Sequence, residues 1–221
     1  MSGTAPTFTT TNTAIAFNTS DVTLSNNGTT TINTGSGAGG VTFGAKVETN
    51  GGGNDNLTIT SGEGNVTFTG SIGAGNSLGN LSVNASSGDG DITFTSTIGD
   101  IENAGTSGTA SIGNDSTEVI YFNNTLYSFD GGQTTITAKD GLNTRVSQAD
   151  TTIKVNGEAL RFDESALSLS SGANLTINSN GGAITAEKRI RNDAGSATLT
   201  IDAGTTSGST DTVSLAGVGF G

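Results

Sequence analysis

Four heptapeptides align along the chain without gaps: VTFGAKV (41–47), VTFTGSI (66–72), ITFTSTI (92–98) and IYFNNTL (120–126). Each places an apolar residue at positions one, three and seven, and the third is always phenylalanine: Phe43, Phe68, Phe94 and Phe122. Their first positions, Val41, Val66, Ile92 and Ile120, recur at the spacing of a structural repeat and not of a domain. Apolar and polar residues alternate within each, so Val66 and Phe68 face one way while Thr67 and Thr69 face the other, the period of a half-buried strand.

A second short strand precedes each heptapeptide: TTI (30–32), LTI (57–59), LSV (81–83) and ASI (110–112). Further along, LTI (175–177) followed by ITAEKRI (184–190) repeats the scheme with Ala186 in place of Phe, and LTI (199–201) followed by VSL (213–215) resembles it again. Gly, Asn, Asp and Ser fill the gaps, which is turn chemistry that tolerates positive φ. The expected fold is all-β, a parallel β-solenoid (β-helix) of about seven or eight coils of ~25 residues, each burying its apolar face against its neighbours. A tandem β-sandwich is the alternative, since alternating strands with frequent turns suit it too. A disordered linker has no reason to keep phenylalanine in phase.

Composition agrees with a thin rod. The chain is 31% hydrophobic and 13% charged, with 35 glycines in 221 residues; an ordinary globular domain is about 45–50% apolar and about 25% charged. Three regions are expected: regular coils over 1–126, an irregular coil or an insertion over 127–171, and regular coils again over 172–221. The middle stretch reads either as an excursion that forms a contact surface or as a longer coil of about 32 residues with strands TTITA (134–138) and TIKVNG (152–157).

The alternation of NLTIT or NLSVN with NVTFTGSIG or DITFTSTIG is similar to the β-strand repeats of very large bacterial secreted and surface proteins, the filamentous-haemagglutinin-type adhesins and surface-layer-like proteins. The resemblance spans about residues 21–126 and 172–218. It implies a fibrous extracellular stalk and names no ligand. Residues 127–171 depart from the pattern.

Chemistry is constrained by what is missing. The chain has no Cys, His or Trp, which removes thiol nucleophiles, Ser-His-Asp triads, Cys or His zinc sites and disulfides. A net charge of −12 argues against nucleic acid. No apolar run is long enough to span a membrane, and Met1-Ser2-Gly3-Thr4 does not open a signal peptide, so an export signal is expected elsewhere. The charge is uneven: residues 1–118 hold ten acids and one base, Lys46, while residues 119–221 hold ten acids and seven bases.

Several residues are weighed as sites. Asn50-Gly51-Gly52-Gly53-Asn54-Asp55 is similar to the glycine-rich nonapeptide of calcium-binding β-rolls, with Ser87-Gly88-Asp89-Gly90-Asp91 a distant second, so Asp55, Asp89 and Asp91 are the candidate Ca²⁺ ligands and ordinary turn aspartates are the alternative. Asn56, Asn80 and Asn174 precede the Leu that opens a strand, where stacking would form an amide ladder. They also fall in N-x-S/T sequons, as do Asn65 and Asn123. Thr67/Thr69 and Thr93/Thr95 suggest a flat hydroxyl array that Gly44 and Asn123 interrupt. Asp163-Glu164 and Asp100/Glu102 are the close acid pairs a glycosidase needs, with no His or Cys to assist them. Lys188-Arg189-Ile190-Arg191 is a basic cluster that could dock an acidic patch of another copy.

The function these residues suggest is a structural extracellular module and not an enzyme: a stalk, filament or surface-lattice subunit whose partners are other copies or adjacent repeats of a longer chain. An adhesin domain that binds cell-surface glycan through residues 119–170 is the alternative, and a β-helix glycan-cleaving enzyme the third reading.

Overall fold

The computed structural model describes residues 5–52, 55–86, 89–193, 195–204 and 212–219, apart from the side chains of residues 140, 142 and 143. Its described residues form strands and turns with no helix, and every strand pair is parallel. The first coil is β1 (Thr7–Thr9), β2 (Ile15–Phe17) and β3 (Val22–Leu24), and the second is β4 (Thr29–Asn33), β5 (Val41–Phe43) and β6 (Val47–Thr49). The third holds β7 (Asn56–Ser61) and β8 (Val66–Phe68), and the fourth β9 (Leu81–Ala85) and β10 (Ile92–Phe94); each ends in one bridging residue, Ile72 or Ile98, where others have a third strand. The fifth is β11 (Ala110–Ile112), β12 (Ile120–Phe122) and β13 (Leu126–Phe129). The sixth is β14 (Thr134–Val146) with β15 (Asp150–Val155), and the seventh β16 (Leu160–Leu169) with β17 (Asn174–Asn178). The eighth is β18 (Ile184–Ala186), β19 (Ile190–Asn192) and β20 (Thr198–Asp202), followed by β21 (Val213–Leu215) and β22 (Val218–Gly219).

Three faces result. Face A stacks β1, β4, β7, β9, β11, the start of β14, the start of β16, β18 and β21. Face B stacks β2, β5, β8, β10, β12, the ends of β14 and β16, β19 and β22. Face C runs from β3 and β6 through Ile72 and Ile98 to β13, β15, β17 and β20. The chain is therefore a parallel β-solenoid of eight coils, stacked at the period its sequence repeat foretold.

Alternation sends the apolar residue of each strand inward. Ile59, Val83, Ile112, Ile136 and Phe162 fill the interior from face A, Phe43, Phe68, Phe94 and Phe122 from face B, and Val47, Ile72, Ile98, Tyr127 and Ile153 from face C; all are buried. On face B the rings of Phe17, Phe43, Phe68, Phe94 and Phe122 lie near parallel at centroid spacings of 5.0, 5.0, 5.3 and 5.5 Å. The strand spacing of about 4.8 Å imposes this stacking, and it gains beyond area burial. Tyr127 ends the column with its ring edge-on to Phe122 at 4.6 Å. Its hydroxyl accepts from the Asn124 N–H at 2.7 Å and donates to the Phe94 carbonyl at 3.3 Å.

Between faces A and B the third coil turns at backbone-to-backbone contact. A Cβ added at Gly62 would stand 2.2 Å from the Ser36 carbonyl carbon, so only glycine fits there. Further on the same corner is crossed differently: β14 and β16 run through it as strands of 13 and 10 residues. β14 does so with register shifts around Gly141, and β16 holds Glu164 at φ 60°.

Two readings of the sequence are corrected. Residues 127–171 do not leave the solenoid as an insertion, nor do they hold a coil longer than those around it: β11, β14, β16 and β18 pair in register at Ala110, Thr134, Leu160 and Ile184, an ordinary coil between each and the next. The stretch departs from the repeat in that β14 and β16 carry the A–B corner inside one long strand, β14 with register shifts around Gly141, and in that Val146 and Leu169 continue the Phe column. The second correction concerns phase. Leu175–Ile177 lies on face C and Ile184–Ala186 on face A, so Ala186 stacks on Phe162 and takes no place in the Phe122 column. A one-three-seven spacing marks any three-residue strand followed by a three-residue corner, whichever corner that is.

Candidate functional surfaces

Stacking converts single turn residues into ladders. Asn56 Oδ1 accepts the Asn80 N–H at 2.6 Å, and Asn80 Oδ1 accepts the Thr109 N–H at 2.8 Å, so Asn56 and Asn80 join three coils as their spacing suggested. Asn174 stands in a separate pair on face C, donating to Asp150 at 3.0 Å. A further ladder, which spacing did not disclose, runs from Asn180 to Asn156 at 2.7 Å and from Asn156 to Asp130 at 3.3 Å.

The candidate calcium ligands stand at two different corners. Asp55 precedes β7 and is fully buried; its Oδ1 accepts the N–H groups of Asn26 at 2.7 Å and Asn27 at 2.6 Å, while Oδ2 meets no partner. Gly53 and Asn54 beside it, and Ser87 and Gly88 of the second motif, lie outside the described residues. Asp89 is exposed at the corner between β9 and β10. Asp91 shares that corner and continues a ladder: its N–H donates to Asn65 Oδ1 at 2.9 Å, and its own Oδ1 accepts the Val119 N–H at 3.1 Å. Desolvation, with Glu118 nearby, raises the Asp91 carboxyl above the usual aspartate range. Among the described residues, no three of His, Cys, Asp and Glu gather as metal ligands.

The aromatic part of the region 119–170 points inward: Phe122, Tyr127, Phe129 and Phe162 are core residues. Burial pushes the Tyr127 hydroxyl well above the ordinary tyrosine range. What this region shows to solvent is Tyr121, its bases Lys139, Arg145, Lys154 and Arg161, and acids among them such as Asp150, Glu158 and Glu164, none of them buried. Arg161 pairs with Asp163 at 3.2 Å and Glu187 at 3.0 Å, and Lys188 pairs with Glu164 at 3.5 Å. The acid pair Asp163-Glu164 and one residue of the basic cluster are thus tied to each other across two coils. Asp100 is likewise engaged: its Oδ1 accepts the N–H groups of Asn103 and Glu102 at 2.7 and 2.8 Å, which lowers its carboxyl below the usual range. That turn forms one wall of a polar cleft of about 140 Å³ whose other wall holds Ser128, Asp130, Lys154 and Asn156.

Thr67 and Thr93 do point outward on face B, in a register column that begins at Thr42 and meets Tyr121. A longer hydroxyl column stands on face A, Thr31, Thr58, Ser82, Ser111 and Thr135. No helix among the described residues is long and apolar enough to cross a membrane. Comparison with family models, with curated proteins and with solved structures finds no match to this chain.

Proposed function

We propose that the chain is a structural module of an extracellular bacterial surface protein, a stalk, filament or lattice segment that associates through its coil ends and catalyses no reaction. The observation that carries this reading is the one-sided pairing of the end strands. Among the described residues, β1, β2 and β3 each have a strand neighbour on one side only, and so do β20, β21 and β22. Apolar side chains go with them: Phe8 is 41% exposed at one end, Val213 and Val218 43% and 48% at the other. Unpaired parallel edges over a partly uncovered interior are met by a further coil, from the same polypeptide or from another copy. Within the body, the polar side chains best placed for chemistry are engaged in ladders and ion pairs that hold coils together.

Sedimentation and electron microscopy of the purified chain test this. Concentration-dependent rods that lengthen by end-on addition support it; a monomer at all concentrations that degrades a glycan overturns it. A second reading, adhesion to cell-surface glycan, is favoured by the polar cleft beside Asp130 and Lys154. Lys154→Ala in a glycan-binding assay separates the two, because assembly should survive that change and adhesion should not. Melting with and without chelator tests the calcium expectation, since a cation bound to the folded state raises its Tm.

A further inference from the structure

Register columns of inward side chains run the length of the stack, on face A from Phe8 through Ile59 and Ile136 to Leu215, and on face B from Ile15 through Val66 and Ile120 to Val218. At the first end they leave an apolar space of about 180 Å³ among Phe8, Phe17, Leu24 and Leu57. The backbone is open there as well. The Ile15 N–H donates to the Gly40 carbonyl at 2.9 Å and the Phe17 carbonyl accepts the Gly44 N–H at 2.8 Å, so Ala16 between them turns its own N–H and C=O to the free edge. At the far end the Gly217 carbonyl accepts the Ile190 N–H at 2.9 Å, and Val218, next along, turns its groups to the opposite free edge. Charged side chains are a common means of blunting such an edge. Residues 5–28 carry one, Asp21, and residues 212–219 carry none.

We propose that copies of this chain join head to tail in a single polarity, with β21 and β22 of one copy pairing in parallel with β1 and β2 of the next. This polarity rests on the assembly reading above. The order of the faces decides it. Every coil runs A, B, C, so turning one copy end over end reverses that order: with face A laid over face A, face B falls over face C. Two like ends therefore cannot match face for face, whereas unlike ends match on A and B by continuing the stack. Leu215 then meets Phe8 of the next copy and Val218 meets Ile15, which prolongs both columns and covers the apolar space. The Val218 N–H donates to the Ala14 carbonyl of that copy, as the Ile15 N–H does to Gly40 within the chain. On face C the last described strand is β20, one level short of β21 and β22, so faces A and B carry the joint. Stacking by translation along the axis does not close a ring, and the product is a polar filament.

Two variants that each block one end test this. Ala16→Pro removes the free N–H of the first edge, and Val218→Lys places a charge on the last. Circular dichroism reports whether each is folded, and Thr9→Pro or Val213→Lys replaces one that is not. In sedimentation velocity each variant alone should self-associate at least about tenfold more weakly than the unaltered chain. Their equimolar mixture should form dimers that grow no further, because Ala16→Pro keeps its last edge and Val218→Lys its first. Undiminished association of either variant, a homodimer of one variant through its intact end, or a mixture that stays monomeric overturns the polarity and leaves the assembly reading standing. An unaltered chain that is itself monomeric at every concentration overturns both.

Discussion

In coils two to five, face B carries Phe43, Phe68, Phe94 and Phe122 in one stacked column; in coils six and seven the same places hold Val146 and Leu169. The corner beside that face differs as well. In the third coil Gly62 turns it against the backbone of Ser36, whereas in the sixth and seventh the strands β14 and β16 pass through it. Outside, charge replaces threonine, and Arg161, Asp163, Glu164, Glu187 and Lys188 link neighbouring coils. One coil geometry is thus satisfied in two ways. Early coils stack aromatic rings on face B and turn the A–B corner at glycine, whereas later coils cross that corner in continuous strands; ion pairs link coils in both parts, Lys46 with Asp21 at 3.7 Å among the early ones.

That contrast can be broken at its strongest point first. Phe94→Ala removes a ring stacked on both sides, and should destabilise the fold by about 3–5 kcal/mol from cavity formation, plus about 0.5–1.5 kcal/mol for lost stacking. Phe162→Ala removes an equally buried ring whose register neighbours are Ile136 and Ala186, not further rings, and should cost less. Equal values in urea unfolding would show that the column adds nothing beyond burial. Next in size is Gly62→Ala, which should cost about 1–3 kcal/mol by overpacking, while Gly217→Ala, with open space around its Cβ, should be silent.

A smaller effect is expected at Asp91. Its folded-state pKa is raised by desolvation, so the folded form binds the proton more tightly than the unfolded chain and loses stability as pH rises through the window between the two values. Asp91→Asn, which restores the residue type that Asn65 supplies one coil earlier, should leave stability unchanged at pH below that window and raise it at neutral pH. Urea midpoints at two pH values check the sign. Smallest of all is Arg161→Ala, whose exposed pairs should show a slight destabilisation at low ionic strength that disappears in about 1 M salt. A larger, salt-insensitive loss would mean that the later coils do not depend on surface charge in the way their pairing suggests.

How much of the molecule is legible in its sequence follows the same division. The early coils read directly, because Phe and Gly mark strand and corner at constant spacing. The fold class and the Asn56–Asn80 ladder follow from that spacing. In the later coils the A–B corner falls inside the long strands β14 and β16, although DGLN (140–143) reads as a turn, and LTI (175–177) reads as a face A strand although it lies on face C, since a short apolar strand followed by a turn looks the same on any of three faces. Sequence spacing also gives no warning that Tyr127 and Phe162 point inward, or that what residues 119–170 show to solvent is mostly charged, with acids beside the bases and Tyr121 the one aromatic side chain not buried. The apolar space of about 180 Å³ among Phe8, Phe17, Leu24 and Leu57 is invisible for a different reason. It is a volume left between coils, and no run of residues encodes it.

Because each strand pairs with its counterpart one coil away, the parallel stacking fixes the loop that must close for each new contact at about one coil, however long the rod becomes. Folding on such a scaffold should begin where the first few coils hold each other most strongly, between Phe43 and Phe122, and then spread outward one coil at a time. Amide exchange would then be slowest in β8 and β10 and fastest in β1 and β22. The rod would start to unravel from its ends, where only one neighbour restrains each strand.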